Sequence, residues 1–335
     1  MGPPLTPRDP TTHPTRFPPG SAADKAWAWI QIGRPLIIFI SVFGALVGAL
    51  NVRVFLGHPP LADWPAPELF DLCELMLGAA LLSSGLMIHN DVTDYPSDRV
   101  NRPHKPLPRG AIGHQSAKWT GIVFMCAAVA VASIHHAPGG GLEWNPVMSA
   151  LTAAIVASGI FYNDHGKMHG LLGHAIVAFG VGAIPLWGAL KLYPAAGSGI
   201  LPLACAIFVM EIGREIMVCI GDMPGDIEAG FRTLPIRQGR DRAMRFVLLY
   251  YAGYLLLLPI PFTGIGPLPG LFGPVYLAGA IVFAAVLLAT WAATWRTIRS
   301  GNEEAIFDAF ERHIRFGTRM GVVFFQLILL LEAFV

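Results

Sequence analysis

The sequence is poor in charge. Charged residues make up 13% of its 335 residues, whereas hydrophobic residues make up 54%. A soluble domain ordinarily carries about 25% charged residues. The mean hydropathy of +0.55 points the same way, so an ordinary soluble domain is excluded and an integral membrane protein is predicted. The formal net charge of +1 gives no overall field that would attract nucleic acid.

Cysteine is also scarce, and a signal peptide is missing. The four cysteines stand in apolar stretches without the spacing of a metal site, which predicts buried free thiols. The first twenty residues are rich in proline and contain no apolar run, unlike a secretory leader. We predict a disordered cytoplasmic tail over residues 1–25 and a single transmembrane domain over residues 26–335.

Long apolar runs are what the sequence has in abundance. A membrane-spanning helix needs about 20 mainly apolar residues. Nine runs meet this requirement, and no soluble core needs so many, so the pattern predicts an all-α membrane bundle. The predicted spans cover residues 35–56, 71–90, 118–136, 146–163, 171–190, 200–220, 244–262, 272–295 and 315–334.

The basic residues predict the orientation of these spans. Of the 23 Lys and Arg residues, all but Arg53 and Lys191 fall on the side of the N-terminus when nine spans are counted. Cytoplasmic loops carry the excess of positive charge in membrane proteins. We therefore expect a cytoplasmic N-terminus and a C-terminus on the opposite side of the membrane.

Two acidic stretches share one pattern. DYPSD (residues 94–98) and DMPGD (residues 222–226) both read D-x-P-x-D, at the cytoplasmic ends of the second and sixth predicted spans. Each precedes a basic loop with Leu-Pro and Gly, KPLPRG (residues 105–110) and RTLPIRQG (residues 232–239). The correspondence predicts a parallel internal repeat of four helices. Proline disfavours helical geometry around it, so each helix is expected to kink or end at its motif.

A carboxylate near the membrane needs a partner, and two kinds of partner are open. In one interpretation the acids of the first motif form ion pairs within a solvated loop, Asp91, Asp94 and Asp98 with Arg99, Arg102 and Lys105. In the other, which two such clusters on one side favour, the carboxylates bind Mg²⁺. This ion prefers carboxylate oxygens and shares its shell with substrate phosphates, while basic side chains hold the remaining phosphate oxygens. The second interpretation predicts a diphosphate substrate with a lipid chain in the apolar bundle.

Three segments resemble the UbiA superfamily of intramembrane prenyltransferases. HNDVTDYPSDRVNRPHKPLPRG (residues 89–110) is similar to its first Asp-rich motif, and GREIMVCIGDMPGDIEAGFRTLPIRQG (residues 213–239) to its second. FYNDHGKMHGLLGH (residues 161–174) is similar to the tyrosine-and-lysine loop between the fourth and fifth helices. The resemblance covers about residues 30–335 and implies a nine-helix bundle of UbiA type around a central cavity.

The resemblance implies Mg²⁺-dependent transfer of an isoprenyl group from a prenyl diphosphate to an aromatic or lipid acceptor. It places the metal ligands at Asn90, Asp94, Asp98, Asp222 and Asp226. It places substrate contacts at Arg34, Arg102, Lys105, Tyr162 and Lys167. We expect the catalytic carboxylates to be Asp91, Asp94 and Asp222, with Asp91 or Asp94 accepting the proton of the acceptor.

Departures from the family pattern keep other functions open. Val218 and Cys219 stand where close relatives often have Lys and Asp, and His174 where Asn is common. These substitutions affect positions expected to contact the acceptor. A UbiA-type terpene cyclase, which uses no acceptor, is therefore an alternative function. A secondary transporter with acidic ion sites is a remote one. The N-R-P-x-x-P-L-P-x-G loop resembles branches that act on glycerol-phosphate lipids, chlorophyll precursors or homogentisate.

Overall fold

A computed structural model describes residues 15–137 and 141–334, and within them the protein is a bundle of long helices. The α-helices are α1 (Ala22–Ile32), α2 (Pro35–Phe55), α3 (Ala66–Thr93), α4 (Tyr95–Asn101), α5 (His114–Ala132), α6 (Pro146–Asp164), α7 (Leu171–Leu192), α8 (Leu201–Glu228), α9 (Leu234–Gln238), α10 (Arg240–Leu257), α11 (Ile260–Thr263), α12 (Pro274–Ser300), α13 (Glu303–Ala309) and α14 (Arg319–Glu332).

The long helices agree with an integral membrane protein. In the described residues, eight helical segments are long and apolar enough to cross a membrane, with α1 and α2 counted as one of them. The helix α8 is equally long but carries Glu211, Arg214 and Glu215 in its apolar part. The prediction of an all-helical membrane protein is confirmed, whereas the count of nine spans and the internal repeat stay predictions.

The two motif prolines have different effects. The helix α3 ends at Thr93, and α4 begins at Tyr95 with Pro96 in its first turn, where a proline costs no hydrogen bond. This break agrees with the prediction for the first motif. The helix α8, however, continues through Pro224 to Glu228. Of the two outcomes expected at the second motif, a kink or an end, the helix therefore does not end there.

Two short segments lie between or before the long helices. The strands β1 (Ile134–His136) and β2 (Leu142–Trp144) pair antiparallel in a hairpin between α5 and α6. The third predicted span, residues 118–136, accordingly ends four residues early, at Ala132. A π-helical segment, Phe310–Thr318, leads into α14. Of the predicted tail, residues 1–14 lie outside the described part of the chain, and α1 begins at Ala22.

Small residues let α2 and α7 pack closely. A Cβ atom on Gly48 would lie 2.7 Å from the carbonyl carbon of Pro185, and one on Gly188 would lie 2.6 Å from that of Ala45. No side chain fits at these distances, so the two backbones touch. Membrane helices, which lack a hydrophobic driving force between them, associate through such contacts. The packed pair forms one wall of the central cavity described below.

The outer surface of the bundle is apolar. Large hydrophobic side chains of α5, α10 and α12 are exposed, among them Val123, Leu256 and Ile281, as expected for helices that face lipid tails. Cys73, Cys126 and Cys205 are also exposed, and only Cys219 is buried among the four free cysteines. The prediction of buried thiols is therefore wrong for three of them. The reason is that an apolar stretch in this bundle can face lipid as well as the protein interior.

Candidate active site

The two acidic motifs lie against each other. Ser97 Oγ donates a hydrogen bond of 2.9 Å to Asp226 Oδ1. Asn101 Nδ2 donates to the carbonyl oxygen of Asp222 at 3.0 Å, and the Gly225 amide donates to Asn101 Oδ1 at 3.0 Å. These bonds join α4 to α8, so the structure brings together motifs that are 128 positions apart in the chain.

Gly225 permits this close approach. A Cβ atom at this position would lie 2.6 Å from the carbonyl oxygen of Ser97 and would also overlap the amide group of Asn101. Backbone atoms of a helix cannot swing away as the end of a side chain can. Any residue larger than glycine would therefore push α4 away from α8.

Lys105 and Arg34 hold the buried carboxylates of the first motif. Lys105 Nζ lies 3.0 Å from Asp91 Oδ1 and 2.6 Å from Asp98 Oδ2. Arg34 forms an ion pair with Asp91 from the other side and a 3.4 Å hydrogen bond to Asn90 Oδ1. Asp91 and Asp98 are only 4% and 2% exposed. Buried charges of this kind need such partners.

Arg102 connects both motifs with the π-helical segment. Its guanidinium pairs with Asp222, and lies 3.4 Å from both Asp98 Oδ1 and Glu311 Oε1. Burial lowers the pKa of Arg102, but the carboxylates of Asp222 and Asp98 outweigh this effect, and the pKa lies above its usual value. Arg102 is therefore a fixed positive charge between the two motifs.

Lys167 places a second positive charge opposite the first motif. It forms an ion pair with Asp94, and its ammonium lies 5.1 Å from the ring centre of Phe231 and 6.0 Å from that of Tyr162. Burial lowers the pKa of Lys167, but the charges of Asp94 and Asp226 have a larger opposite effect, so the pKa lies above its usual value. The Arg232 amide donates to the Lys167 carbonyl at 3.1 Å and so holds the loop.

Amide groups complete the polar end. Asn90 Nδ2 donates to Asn163 Oδ1 at 3.1 Å. Asn163 Nδ2 in turn lies 3.0 Å from His89 Nδ1. Both asparagines line the cavity, and Arg34 also contacts Asn90. This chain of contacts fixes the direction in which the Asn90 oxygen points.

These groups surround one end of a cavity of about 300 Å³. Its polar end is lined by Asn90, Asp94, Asp222 and Asp226 together with Arg34, Arg102, Lys105, Tyr162 and Lys167. Apolar side chains of α2, α3, α6 and α7 line most of the rest, including Ile37, Leu82, Ile155, Val181 and Trp187. Charged side chains of α8 and α14 line the remainder, namely Glu211, Arg214, Glu215 and Arg319. Of the predicted site residues, Asp91 and Asp98 do not contribute to this lining in the described part of the chain. The cavity therefore offers a charged head and an apolar tail.

The family departures lie together on one wall. Val218 and Cys219 both line the cavity, and Cys219 Sγ lies 4.0 Å from His174 Nδ1 of the neighbouring helix α7. Deeper in the bundle, Arg214 pairs with Glu211 and Glu215 along α8, which balances charges that would be costly there. The wall beside the second motif is thus formed by a thiol and a valine, and the His174 imidazole contacts the thiol without lining the cavity in the described part of the chain.

The donor atoms of the motifs fit Mg²⁺. The predicted ligands offer carboxylate and amide oxygens only, from Asn90, Asp94, Asp98, Asp222 and Asp226, and Mg²⁺ is bound by oxygen. In this structure three of these carboxylates, Asp94, Asp98 and Asp222, pair with Lys or Arg. The Lys and Arg groups thus occupy positions at which the same carboxylates would attract a metal cation. Metal binding would require these pairs to open.

Sequence reasoning missed several residues that build the site. Ser97 and Asn101 join the motifs, Asn163 orients Asn90, and Glu311 contacts Arg102. The spacing of Ser97 and Asn101, four apart on one short helix, places both on one face, and this was a usable signal. Nothing in the sequence indicated Glu311, which lies 209 positions from its partner.

The comparison with protein families decides the family of this chain. The model of the UbiA prenyltransferase family matches residues 35–316, most of the chain. The chain belongs to the UbiA prenyltransferase family. It is therefore a membrane enzyme of the UbiA prenyltransferase type, as the resemblance of its three motifs predicted.

Individual relatives and structures agree with the family assignment. The chain is 30% identical over 262 residues to digeranylgeranylglyceryl phosphate synthase of Thermococcus kodakarensis, covering 78% of this chain and 84% of the relative. The synthase of the same name from Thermococcus sibiricus is 31% identical over 259 residues, covering 77% of this chain and 84% of that one.

Solved structures of UbiA homologues share the fold. The homologue from Aeropyrum pernix K1 has a TM-score of 0.64 and 18% identity, and the match covers 88% of this chain and 97% of that one. The homologue from Archaeoglobus fulgidus, bound to DMAPP and Mg²⁺, has a TM-score of 0.62 and 15% identity, and the match covers 92% of this chain and 99% of that one. These likenesses confirm the helical fold of this UbiA prenyltransferase.

Proposed function

We propose that this protein transfers an isoprenyl group from a prenyl diphosphate to a lipid acceptor, with Mg²⁺ as cofactor. The observation that carries the proposal is the cavity in which both D-x-P-x-D motifs and four basic side chains surround one end of an apolar space. A prenyl diphosphate has the same polarity, a charged head on an apolar chain. The Archaeoglobus fulgidus homologue bound to DMAPP and Mg²⁺ supports this assignment of substrate and cofactor.

Lipid is the acceptor class that we propose. The Thermococcus kodakarensis relative is a digeranylgeranylglyceryl phosphate synthase, and its name implies a glyceryl phosphate that bears two prenyl chains. We assign to this protein an acceptor of that class, a prenylated glyceryl phosphate. The N-R-P-x-x-P-L-P-x-G loop is compatible with this class, because it resembles branches that act on glycerol-phosphate lipids as well as those that act on chlorophyll precursors or homogentisate.

The site residues divide into ligands of the metal and ligands of the phosphate. Asn90, Asp94, Asp98, Asp222 and Asp226 would hold Mg²⁺, which supplies positive charge against the diphosphate as the allylic C–O bond breaks. Arg34, Arg102, Lys105 and Lys167 exchange their carboxylate partners for phosphate oxygens when substrate enters, with Tyr162 beside them. Such groups, fixed before the reaction, stabilise the charge that develops on the leaving group.

Within this mechanism Asp91 acts as a positioning residue. Its carboxylate is buried away from the cavity lining and holds Arg34 and Lys105 at the same time. Asp94 and Asp222, by contrast, line the cavity. The apolar remainder of the cavity keeps water from the allylic cation. We therefore propose Asp94 rather than Asp91 as the carboxylate nearest to the reacting atoms.

Product analysis tests the function. Purified protein in detergent is incubated with labelled geranylgeranyl diphosphate, Mg²⁺ and a panel of prenylated glyceryl phosphate and aromatic acceptors, and products are identified by mass spectrometry. We expect a product prenylated on the glyceryl phosphate lipid, and none when EDTA is added. A hydrocarbon or terpene alcohol without acceptor would establish the cyclase instead. Failure to release diphosphate with Mg²⁺ would refute both.

We further propose that the N-terminus and the active site face the cytoplasm, and that the C-terminus faces the other side. The structure sharpens the charge argument, because the two basic residues of the other side are both buried, Arg53 at 1% and Lys191 at 0% exposure. Neither is a loop charge of the kind that the positive-inside rule counts. The described basic side chains in loops thus all belong to the proposed cytoplasmic side.

Cysteine labelling tests this orientation. In a cysteine-free background, Arg242→Cys and Leu61→Cys place single thiols at exposed positions on opposite sides. A membrane-impermeant maleimide applied to intact cells is expected to label the Leu61 variant, and the Arg242 variant only after lysis. The reverse pattern would contradict the proposed orientation.

A further inference from the structure

A second polar cluster lies at the other end of the bundle. Asp71 and Glu74 stand in the first turns of α3, His135 and His136 in β1, and Lys191 near the end of α7. Asp71 precedes Asp94 by 23 positions on nearly the same helix, a separation of about 35 Å at 1.5 Å per residue. The cluster is therefore remote from the diphosphate site and takes no part in its chemistry.

The cluster has the spacing of metal ligands. His136 Nδ1 lies 3.0 Å from Asp71 Oδ1 and 3.9 Å from Glu74 Oε2, and His135 Nδ1 lies 2.8 Å from Asp71 Oδ2. Bonds of about 2.0–2.1 Å in a tetrahedral zinc site place neighbouring ligand atoms about 3.4 Å apart. In the described residues, Asp71, Glu74 and His136 form the one group of three such side chains with ligand atoms within 4.8 Å of one another.

The direction of one imidazole also indicates a shared centre. His135 Nδ1 is buried and has no hydrogen-bond partner within the described part of the chain, although a carboxylate oxygen lies 2.8 Å away. A donor and an acceptor that bonded each other would point at each other. The His135 nitrogen and the Asp71 oxygen are thus close without forming a hydrogen bond, which leaves this nitrogen available to a cation. His136, by contrast, contacts Asp71 Oδ1 through its Nδ1 at 3.0 Å and through its backbone amide at 3.2 Å.

The charge of the cluster leaves room for another cation. Asp71 and Glu74 set two carboxylates against the single ammonium of Lys191. The side chains of Asp71 and Lys191 are only 2% and 0% exposed. An uncompensated charge at such a site is costly. Lys191 Nζ lies 2.8 Å from Glu74 Oε2 and 3.3 Å from Asp71 Oδ1, and it also contacts the Ile134 carbonyl. One ammonium is therefore shared by two carboxylates, and Asp71 also faces both histidines.

We propose that Asp71, Glu74 and His136, with His135 adjoining Asp71, form a site for a transition-metal ion of the zinc type. Imidazole nitrogens suit zinc, whereas the all-oxygen motifs at the other end of the bundle suit Mg²⁺. The His136 ring is held in place by the ring of Phe70, with centroids 5.3 Å apart. Because the ligands come from α3 and β1, the bound ion clamps the hairpin to one spanning helix.

Direct metal binding tests the site. Full-length protein in detergent is stripped with a chelator, and binding of Zn²⁺ alone is measured by calorimetry and by elemental analysis after desalting. We expect one equivalent of Zn²⁺, not displaced by a hundredfold excess of Mg²⁺. The double variant His135→Ala/His136→Ala is expected to bind at least thirtyfold more weakly and to keep its prenyl-transfer activity. His58→Ala, an exposed histidine of the same side, is the matched control and is expected to bind as the unchanged protein does.

Visible absorption spectroscopy with Co²⁺ tests the site even if the double variant does not fold. Co²⁺ bound by the unchanged protein is expected to show the intense visible absorption of a tetrahedral nitrogen and oxygen site, and the single variant His136→Asn to lose it. Absence of stoichiometric Zn²⁺ in the unchanged protein would overturn the proposal. Equal affinity in the double variant and the His58 control would overturn it as well, because the ion would then bind elsewhere.

Discussion

Gly225→Ala tests whether the close contact between α4 and α8 creates the active site. The new Cβ atom would lie 2.6 Å from the carbonyl oxygen of Ser97, where ordinary contacts begin at 3.4 Å. The α4 backbone must therefore retreat by the difference of about 0.8 Å, and the hydrogen bonds of Asn101 to α8 lengthen with it. The first motif moves away from the second, while the remainder of the bundle is unchanged.

The expected effect is large on activity and small on stability. A misplacement of about 1 Å costs on the order of a hundredfold in rate, which corresponds to about 2.7 kcal/mol of transition-state stabilisation. For stability, overpacking costs about 1–3 kcal/mol, and the higher helix propensity of alanine returns about 1 kcal/mol. We therefore expect a folded protein with about a hundredfold lower kcat/KM for prenyl transfer and a higher requirement for Mg²⁺.

The matched control is Gly253→Ala. This glycine lies in α10, and its Cβ atom would meet the end of the Val209 side chain at 3.1 Å, which can rotate away. The substitution is the same and the contact is also tight, but it lies outside the site. Steady-state kinetics and thermal unfolding in detergent measure both variants. Equal kcat/KM in the two variants would refute the role assigned to the contact between α4 and α8.

Other substitutions test the separate parts of the structure. Asp222→Asn is expected to lower kcat by at least a hundredfold through loss of metal binding, whereas the exposed control Asp241→Asn retains full activity; an active Asp222 variant would contradict the ligand assignment. Lys167→Gln is expected to raise the KM for the prenyl diphosphate about tenfold, measured at saturating Mg²⁺, and an unchanged KM would speak against its phosphate contact. Arg53→Met removes the hydrogen bonds to the Pro59 and Ala62 carbonyls and the partner of the partly exposed Glu68. It is expected to destabilise the bundle by about 1–3 kcal/mol in thermal unfolding with kcat unchanged; an unaltered unfolding transition would show that these contacts are dispensable.

The fold class and the polar end of the site were predictable from local signals. Nine apolar runs each satisfied the length of a membrane span, and Asp94 and Asp222 stood in two copies of a rare pattern at the ends of such runs. Local sequence could not identify the partners, because an ion pair such as that between Arg102 and Asp222 joins positions 120 residues apart. The family assignment rested on the order of three motifs and was confirmed.

Two features of the structure have the same physical reason. Pro224 was expected to kink or end α8, and the helix does not end there but continues to Glu228, because packing against α4 supports its last turns. Arg53 and Lys191, the two basic residues counted on the far side, are both buried within networks of acids and carbonyl groups. In each case a tertiary contact outweighed the local preference of the residue.

By itself, the amino-acid sequence determined that the chain lies in the membrane and that its acids lie at helix ends, because hydrophobic length and proline act over a few neighbouring residues. Only the tertiary structure decided which cation holds which carboxylate, where α4 touches α8, and that histidines and acids gather at the opposite end. Those arrangements depend on distances between segments far apart in the chain, and such distances exist only once the helices have packed.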